Sequence, residues 1–126
     1  ATYNFVVMAA PRLSILIPTY NRADLLAETL GSVLAQGPLL ESAEIIISND
    51  ASKDGTADQL DRLVKDHPHL KILVHNHQKN LGGPGNWTFL LTQAQGEFVF
   101  LISDDDTIAP DFLKNYFSVL DQYPQV

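Results

Sequence analysis

Short apolar runs alternate with helically spaced apolar positions along nearly the whole chain. Leu13 to Ile17 (LSILI) is a continuous apolar run ended by Pro18, which predicts a buried strand. Leu26, Leu30, Val33 and Leu34 then recur at helical spacing, and Gly37-Pro38 stops that helix. Glu44 to Ser48 (EIIIS) predicts a second strand, and Leu60, Leu63 and Val64 a second helix that ends before His67-Pro68. Lys71 to Val74 is a third strand. Trp87, Leu90, Leu91 and Ala94 form an i, i+3, i+4, i+7 stripe closed by Gly96, and Glu97 to Ile102 (EFVFLI) is a fourth strand. A last stripe, Leu113, Tyr116, Phe117 and Leu120, follows Pro110, a favourable first-turn residue.

The order β-α-β-α-β-α-β-α calls for an α/β fold: an open, mostly parallel sheet with helices on both faces. Ligands of such sheets bind outside the carboxyl ends of the strands. The segments in that position are Pro18 to Arg22 (PTYNR), Asn49 to Gly55 (NDASKDG), Asn76 to Asn86, and Ser103 to Thr107 (SDDDT). Three of the four are rich in Asp, Asn or Gly. Polar chemistry therefore collects on one edge, whereas a sheet selected only for stability would scatter it over both.

Composition narrows the function. The chain has 126 residues and 45% hydrophobic content, enough for one compact domain with its own core. Fifteen acidic against eight basic residues give a net charge of −7, which argues against a nucleic-acid reader but not against a phosphate ligand bridged by a metal ion. Cysteine is absent, which excludes disulfide scaffolds, thiolate zinc sites and cysteine nucleophiles. No apolar run approaches the ~18 residues of a membrane span. The first ten residues (ATYNFVVMAA) lack the basic start of a signal peptide. Met8 is a candidate start, with Ala1 to Val7 a remnant or upstream segment. A cytoplasmic location is the expectation.

Asp104-Asp105-Asp106, directly after the most hydrophobic strand, is the sharpest feature. Adjacent carboxylates roughly 5 Å apart repel by about 3 kcal/mol per pair at an effective dielectric near 20. Mg²⁺ or Mn²⁺ removes that cost when held by one or two carboxylates plus substrate phosphates. The competing reading is a solvated acidic loop that caps the helix after Pro110. Asp50, at the end of EIIIS, can accept from a base or ribose. Its blander counterpart is a turn, with Asp54-Gly55 as the bend and Thr56 or Ser52 as the helix cap. Gly82, Gly83 and Gly85 in NLGGPGN can let backbone approach a phosphate or sugar, or can serve as a loop entering the Trp87 helix. They do not form a dinucleotide fingerprint, and no phosphate-binding P-loop motif is present. His67, His69, His75 and His77 lack the acid or thiolate that would complete a zinc site and read as surface residues.

Taken together, LSILIPTYNRADLLAETLGSVLAQ, EIIISNDASKDGT, NLGG and GEFVFLISDDDTIAPDFL resemble a family 2 glycosyltransferase from about Arg12 onward. The resemblance implies a GT-A (Rossmann-like) fold, in which a nucleotide-binding α/β half precedes an acceptor-binding half. It implies sugar transfer with inversion from a nucleotide diphosphate sugar to a carbohydrate or lipid-linked acceptor, as in cell-surface polysaccharide or glycolipid assembly. Such work places the protein in the cytoplasm or peripherally at the inner face of a membrane. By the same resemblance, Pro18, Tyr20, Asn21 and Arg22 surround the nucleoside and Asp50 bonds the base. Asp104 to Asp106 cover the D-x-D region, with Asp105 the direct ligand of Mn²⁺ or Mg²⁺ and its neighbours on ribose, donor sugar or metal-bound water. Two departures from the family pattern stand out: Asn49-Asp50 for Asp-Asp, and Trp87-Thr88 for Arg-Asn.

An inverting transfer also needs a general base. In the resembled family it is a carboxylate well downstream of the D-x-D region, beyond Val126. Residues 1–11 are accordingly expected to be an extension and 12–126 the nucleotide-sugar-binding domain of a larger enzyme, cut before the acceptor half. Two other functions remain in play: a non-catalytic nucleotide-sugar-binding module, and a phosphoacceptor receiver domain. The receiver would want its acid pair near the first strand, where this chain has Pro18-Thr19-Tyr20-Asn21.

Overall fold

The computed structural model describes residues 10–124. Ala1 to Val7, Met8 and Val126 lie outside the described residues. The chain runs β1 (Leu13–Thr19), α1 (Ala23–Leu34), a 3₁₀ helix (Gly37–Ser42), β2 (Ala43–Asn49), α2 (Thr56–Asp66), β3 (Lys71–Asn76), α3 (Gly82–Gln93), β4 (Phe98–Leu101) and α4 (Phe112–Gln122). The strands form one parallel sheet in the order β3-β2-β1-β4. The expected α/β architecture is thus present. Each predicted strand and helix appears, and the 3₁₀ helix at Gly37-Pro38 is an addition. Gly37 turns the chain at φ +71°, and Pro38 then sits at the start of the short helix.

Pro18 does not end β1, which continues to Thr19. The Ile102 N–H donates to Leu16 O at 3.0 Å, so Leu16 faces β4. Two residues on, the Pro18 nitrogen faces the same side, but the ladder with β4 has already stopped at Leu16–Leu101. The missing N–H therefore costs no sheet hydrogen bond.

Helices cover both faces unequally. Leu13, Ile15, Ile17, Ile45 and Ile47 pack with Leu26, Leu30 and Val33 of α1, Leu60 of α2, and Leu113, Phe117 and Leu120 of α4. On the opposite face Leu16 and Ile46 meet Leu90 of α3. The alternation of strand side chains puts Ser14, Glu44 and Ser48 on this second, more polar face. All three are buried. The sequence runs away from β1 to β2 and β3, then returns to the other side of β1 for β4. This reversal opens a crevice between the carboxyl ends of β1 and β4, where open α/β sheets bind ligands.

Candidate functional site

Four polar segments converge at that crevice. A cavity of about 480 Å³ is lined by side chains from the ends of β1, β2 and β4 and from the start of α3, among them Thr19, Arg22, Asp50, Asn86, Trp87 and Asp104. Its size lies within the range of small-ligand sites. Of the residues singled out in the sequence, Pro18, Tyr20, Arg22, Asp50, Gly82, Gly83 and Asp104 line it.

The loops after β1 and β2 are locked to each other. Asn21, at φ +51°, accepts the Lys53 N–H on its side-chain oxygen at 2.7 Å, and its own N–H donates to Ser52 Oγ at 2.9 Å. Ser52 is therefore an interloop tie and not a cap for α2. The cap acceptor is Asp54, whose carboxylate takes the Thr56 N–H at 3.0 Å and, on its other oxygen, the Ala23 N–H of α1 at 3.2 Å. Ala51 holds φ +59°, a left-handed conformation that costs a non-glycine residue about 1 kcal/mol. Asn21 thus props the loops and does not line the cavity.

Asp50 is 3% exposed and both of its oxygens are engaged: Leu81 N–H donates to one at 2.6 Å and Gly82 N–H to the other at 3.1 Å. The carboxylate occupies the anion position at the start of α3, where helix N–H groups and the dipole favour negative charge. Two sequence readings change. Gly82, Gly83 and Gly85 belong to α3 itself and not to a loop before it. The Gly82 N–H, at φ +78°, serves Asp50, so it is not left to cradle a phosphate. Asp50 does cap a helix, but α3 across the sheet rather than the adjacent α2.

Asp104 crosses the crevice. It is 4% exposed and its Oδ2 accepts the Thr19 hydroxyl at 3.0 Å and the Tyr20 N–H at 3.4 Å, while Oδ1 accepts Arg22 Nη1 at 3.1 Å. Asp105 is half exposed: Oδ1 accepts the Ser103 hydroxyl at 2.6 Å and Oδ2 the same Arg22 Nη1 at 3.2 Å. The Ser103 hydroxyl, with the Arg22 charge, holds the Asp105 carboxyl below its ordinary value. Asp106 is exposed, and its backbone carbonyl accepts the Thr29 hydroxyl of α1. Among the described residues no three His, Cys, Asp or Glu side chains converge as a ready-made metal cage. Of the three carboxylates, Asp104 is turned inward to Thr19 and Tyr20, while Asp105 and Asp106 stay open to solvent.

Asn86 of the lining, His77 linked to it through Ser48, and His75 carried no sequence signal or a misleading one. Asn86 sits on the buried stripe of α3, where its side-chain NH₂ donates to Ser48 O at 3.0 Å and its carbonyl accepts the Ser48 hydroxyl. His77 Nε2 lies 2.7 Å from the same Ser48 Oγ, and His75 and His77 both pack edge-on against Phe89. These two histidines are half-buried parts of the α3 face, not free surface residues. Burial, then the nearby His77, lowers the pKa of His75. Asn86 was legible only as a polar residue interrupting an apolar stripe.

Comparison with known proteins places this geometry. The model of glycosyl transferase family 2 matches residues 14–126. A GalNAc(5)-diNAcBac-PP-undecaprenol beta-1,3-glucosyltransferase from Campylobacter jejuni is 38% identical over 98 residues, which cover 78% of this chain and 31% of that protein. Among solved structures, the mannosyltransferase PcManGT from Pyrobaculum calidifontis, in complex with GDP-Man and Mn²⁺, superposes with a TM-score of 0.78 at 29% identity, over 89% of this chain and 33% of that one. S. aureus TarS 1-349 in complex with UDP-GlcNAc gives 0.76 at 30% identity, over 89% and 32%. The chain spans about a third of the length of these relatives. The parallel sheet and its crevice are the amino-terminal part of the GT-A fold shared with them. With four polar loops gathered in family order on one sheet edge, and the family model matched from β1 through α4, the chain belongs to glycosyl transferase family 2.

Proposed function

We propose that residues 12–126 are the nucleotide-sugar-binding domain of a metal-dependent, inverting glycosyltransferase, with 1–11 an extension. The observation that carries this reading is the convergence of Asp50 and Asp104, from two different strand ends, on one cavity. The acceptor is a carbohydrate or lipid-linked hydroxyl, in keeping with the undecaprenol-linked substrate in the name of the Campylobacter relative. No helix among the described residues is long and apolar enough to cross a membrane, and a peripheral position at the inner face of a membrane is proposed with that acceptor class. Family membership displaces the receiver-domain alternative.

The residues fit a hard divalent cation. Arg22 is the sole cation among the lining residues, against Asp50 and Asp104 in the cavity and Asp105 and Asp106 beside it. A bare diphosphate would meet net negative charge there. Carboxylate oxygens with spare lone pairs suit Mn²⁺ or Mg²⁺, whose shell substrate phosphates complete. Asp105 would hold the ion directly, with Asp104 and Asp106 beside it; the ion would supply positive charge that stabilises the departing diphosphate. Asp50 has lone pairs left on both oxygens and sits where it can accept from base or ribose. Tyr20 and Trp87 supply aromatic walls.

The general base lies elsewhere in this reading. Asp50 and Asp104 are the carboxylates lining the cavity, and both are held by backbone or side-chain donors. Asp121 pairs with Arg12 at 2.6 Å, at the amino edge of the sheet and away from the crevice. Calorimetric titration with UDP and GDP tests donor binding. Affinity in Mn²⁺ should exceed that in EDTA by at least about tenfold, because the ion offsets the acidic cluster. Equal affinities contradict metal dependence. Sugar transfer by the parent protein separates an enzyme from a non-catalytic binding module.

A further inference from the structure

Arg22 reaches the acidic cluster in an unusual way. A guanidinium normally meets a carboxylate as a two-pronged fork at about 2.7–2.9 Å. Here one nitrogen, Nη1, is shared between Asp104 Oδ1 at 3.1 Å and Asp105 Oδ2 at 3.2 Å. The two carboxylates differ sharply in exposure, one buried and the other half exposed, and the Arg22 side chain is itself 49% exposed. The pairing is thus long and single-pronged, with solvent beside it. It nevertheless places one positive charge between the acid proposed to hold the metal, Asp105, and its neighbour Asp104.

A divalent ion on these oxygens would sit about 2.1 Å from its ligands. Nη1 already lies in contact with one oxygen of each acid, so the guanidinium charge competes with an ion for the same carboxylates. We propose that Arg22 is an internal placeholder for the divalent cation: it neutralises Asp104 and Asp105 in the free protein and swings to the diphosphate when the metal–nucleotide complex enters. This rests on the donor-site reading above and assigns Arg22 a positioning role within it. A metal ion arriving alone must push a bound cation out into solvent. One arriving with a diphosphate gives the guanidinium an anion that it can grip with its whole fork. The exchange makes metal and diphosphate binding cooperative, and reciprocally so.

The test is Mn²⁺ bound to the full chain, measured by equilibrium dialysis so that manganese pyrophosphate free in solution is not counted, with and without inorganic pyrophosphate as a probe that carries neither base nor sugar. In the unaltered protein Mn²⁺ alone should bind weakly and pyrophosphate should tighten it at least about tenfold. Arg22→Gln should tighten Mn²⁺ alone by about tenfold, since the competing charge is gone, and cut the pyrophosphate enhancement to less than about threefold. Arg22→Lys keeps the charge and should leave Mn²⁺ alone near its original affinity, while a matched unfolding midpoint confirms that both variants fold. If Arg22→Gln binds Mn²⁺ no more tightly and keeps its pyrophosphate enhancement, the placeholder role is wrong while the donor-site reading stands. If no form binds Mn²⁺ even with pyrophosphate, the metal reading itself fails and takes this role with it.

Discussion

The Asp50 carboxylate accepts the Gly82 N–H at 3.1 Å, tying the end of β2 to the first turn of α3. Together with Leu81 N–H on the other oxygen, this makes Asp50 both a support of the cavity wall and a candidate contact for the nucleoside. Asp50→Ala leaves the part-buried Leu81 N–H without a partner and the Gly82 N–H with Asn80 Oδ1 alone, at a cost on the order of 1–3 kcal/mol. The variant should therefore lose stability in denaturant unfolding and weaken UDP or GDP binding at temperatures where it remains folded. Normal stability with lost binding would assign Asp50 to the ligand alone.

Asp104 and Asp105 should separate in the same two measurements. Asp104→Ala removes the acceptor for Thr19, Tyr20 and Arg22 across the crevice and should cost on the order of 1.5–3 kcal/mol. Asp105→Asn, at an exposed position, should leave the unfolding midpoint unchanged and abolish most of the difference between nucleotide affinity in Mn²⁺ and in EDTA. A large loss of stability in Asp105→Asn would make the acidic loop a structural element.

Glu44 gives the protein an acid-sensitive joint on the α3 face. Its side chain is fully buried; it accepts the Ser14 hydroxyl and the Gln95 N–H at 2.7 Å, with Lys71 Nζ 3.4 Å from its other oxygen. Burial pushes its pKa up, but these donors and the Lys71 charge outweigh that and hold it below the ordinary 4.5. The ionised form therefore contributes stability above pH 4.5, and the contribution is lost as pH falls through the depressed value. Glu44→Gln should cost on the order of 1–3 kcal/mol at neutral pH and flatten the acid limb of the stability curve. An unchanged acid limb would place that sensitivity on other groups.

Gly96 is required by close approach. A Cβ there would lie 2.6 Å from Ser14 N and 2.8 Å from Leu13 C, both backbone atoms of the central strand. Its N–H also donates to Ser14 Oγ at 2.8 Å. Gly96→Ala should destabilise the protein by about 1–3 kcal/mol in equilibrium unfolding, the usual cost of overpacking.

Strand and helix order was legible because β1 and β2 are buried on both faces and read as unbroken apolar runs, while α1 and α4 carry apolar stripes at helical spacing. Pro18 misled because its harmlessness depends on where β4 stops, a fact about a partner strand more than eighty residues away. The role of Glu44 was invisible for a similar reason: a charged residue opening EIIIS reads as a strand end until Ser14, Lys71 and Gln95 are placed around it. At the site, Asp50 and the acidic loop were legible from their positions after strands. Their partners were not, since the Asp50–Gly82 and Thr19–Asp104 contacts join segments that only the fold brings together.

Anomalous diffraction from crystals of the protein grown with Mn²⁺ and a nucleoside diphosphate tests the central claim most directly. The account predicts a manganese peak in coordination with Asp105, adjoining the diphosphate, with the base or ribose against Asp50. A nucleotide bound elsewhere, or a metal peak away from Asp104 to Asp106, would contradict it.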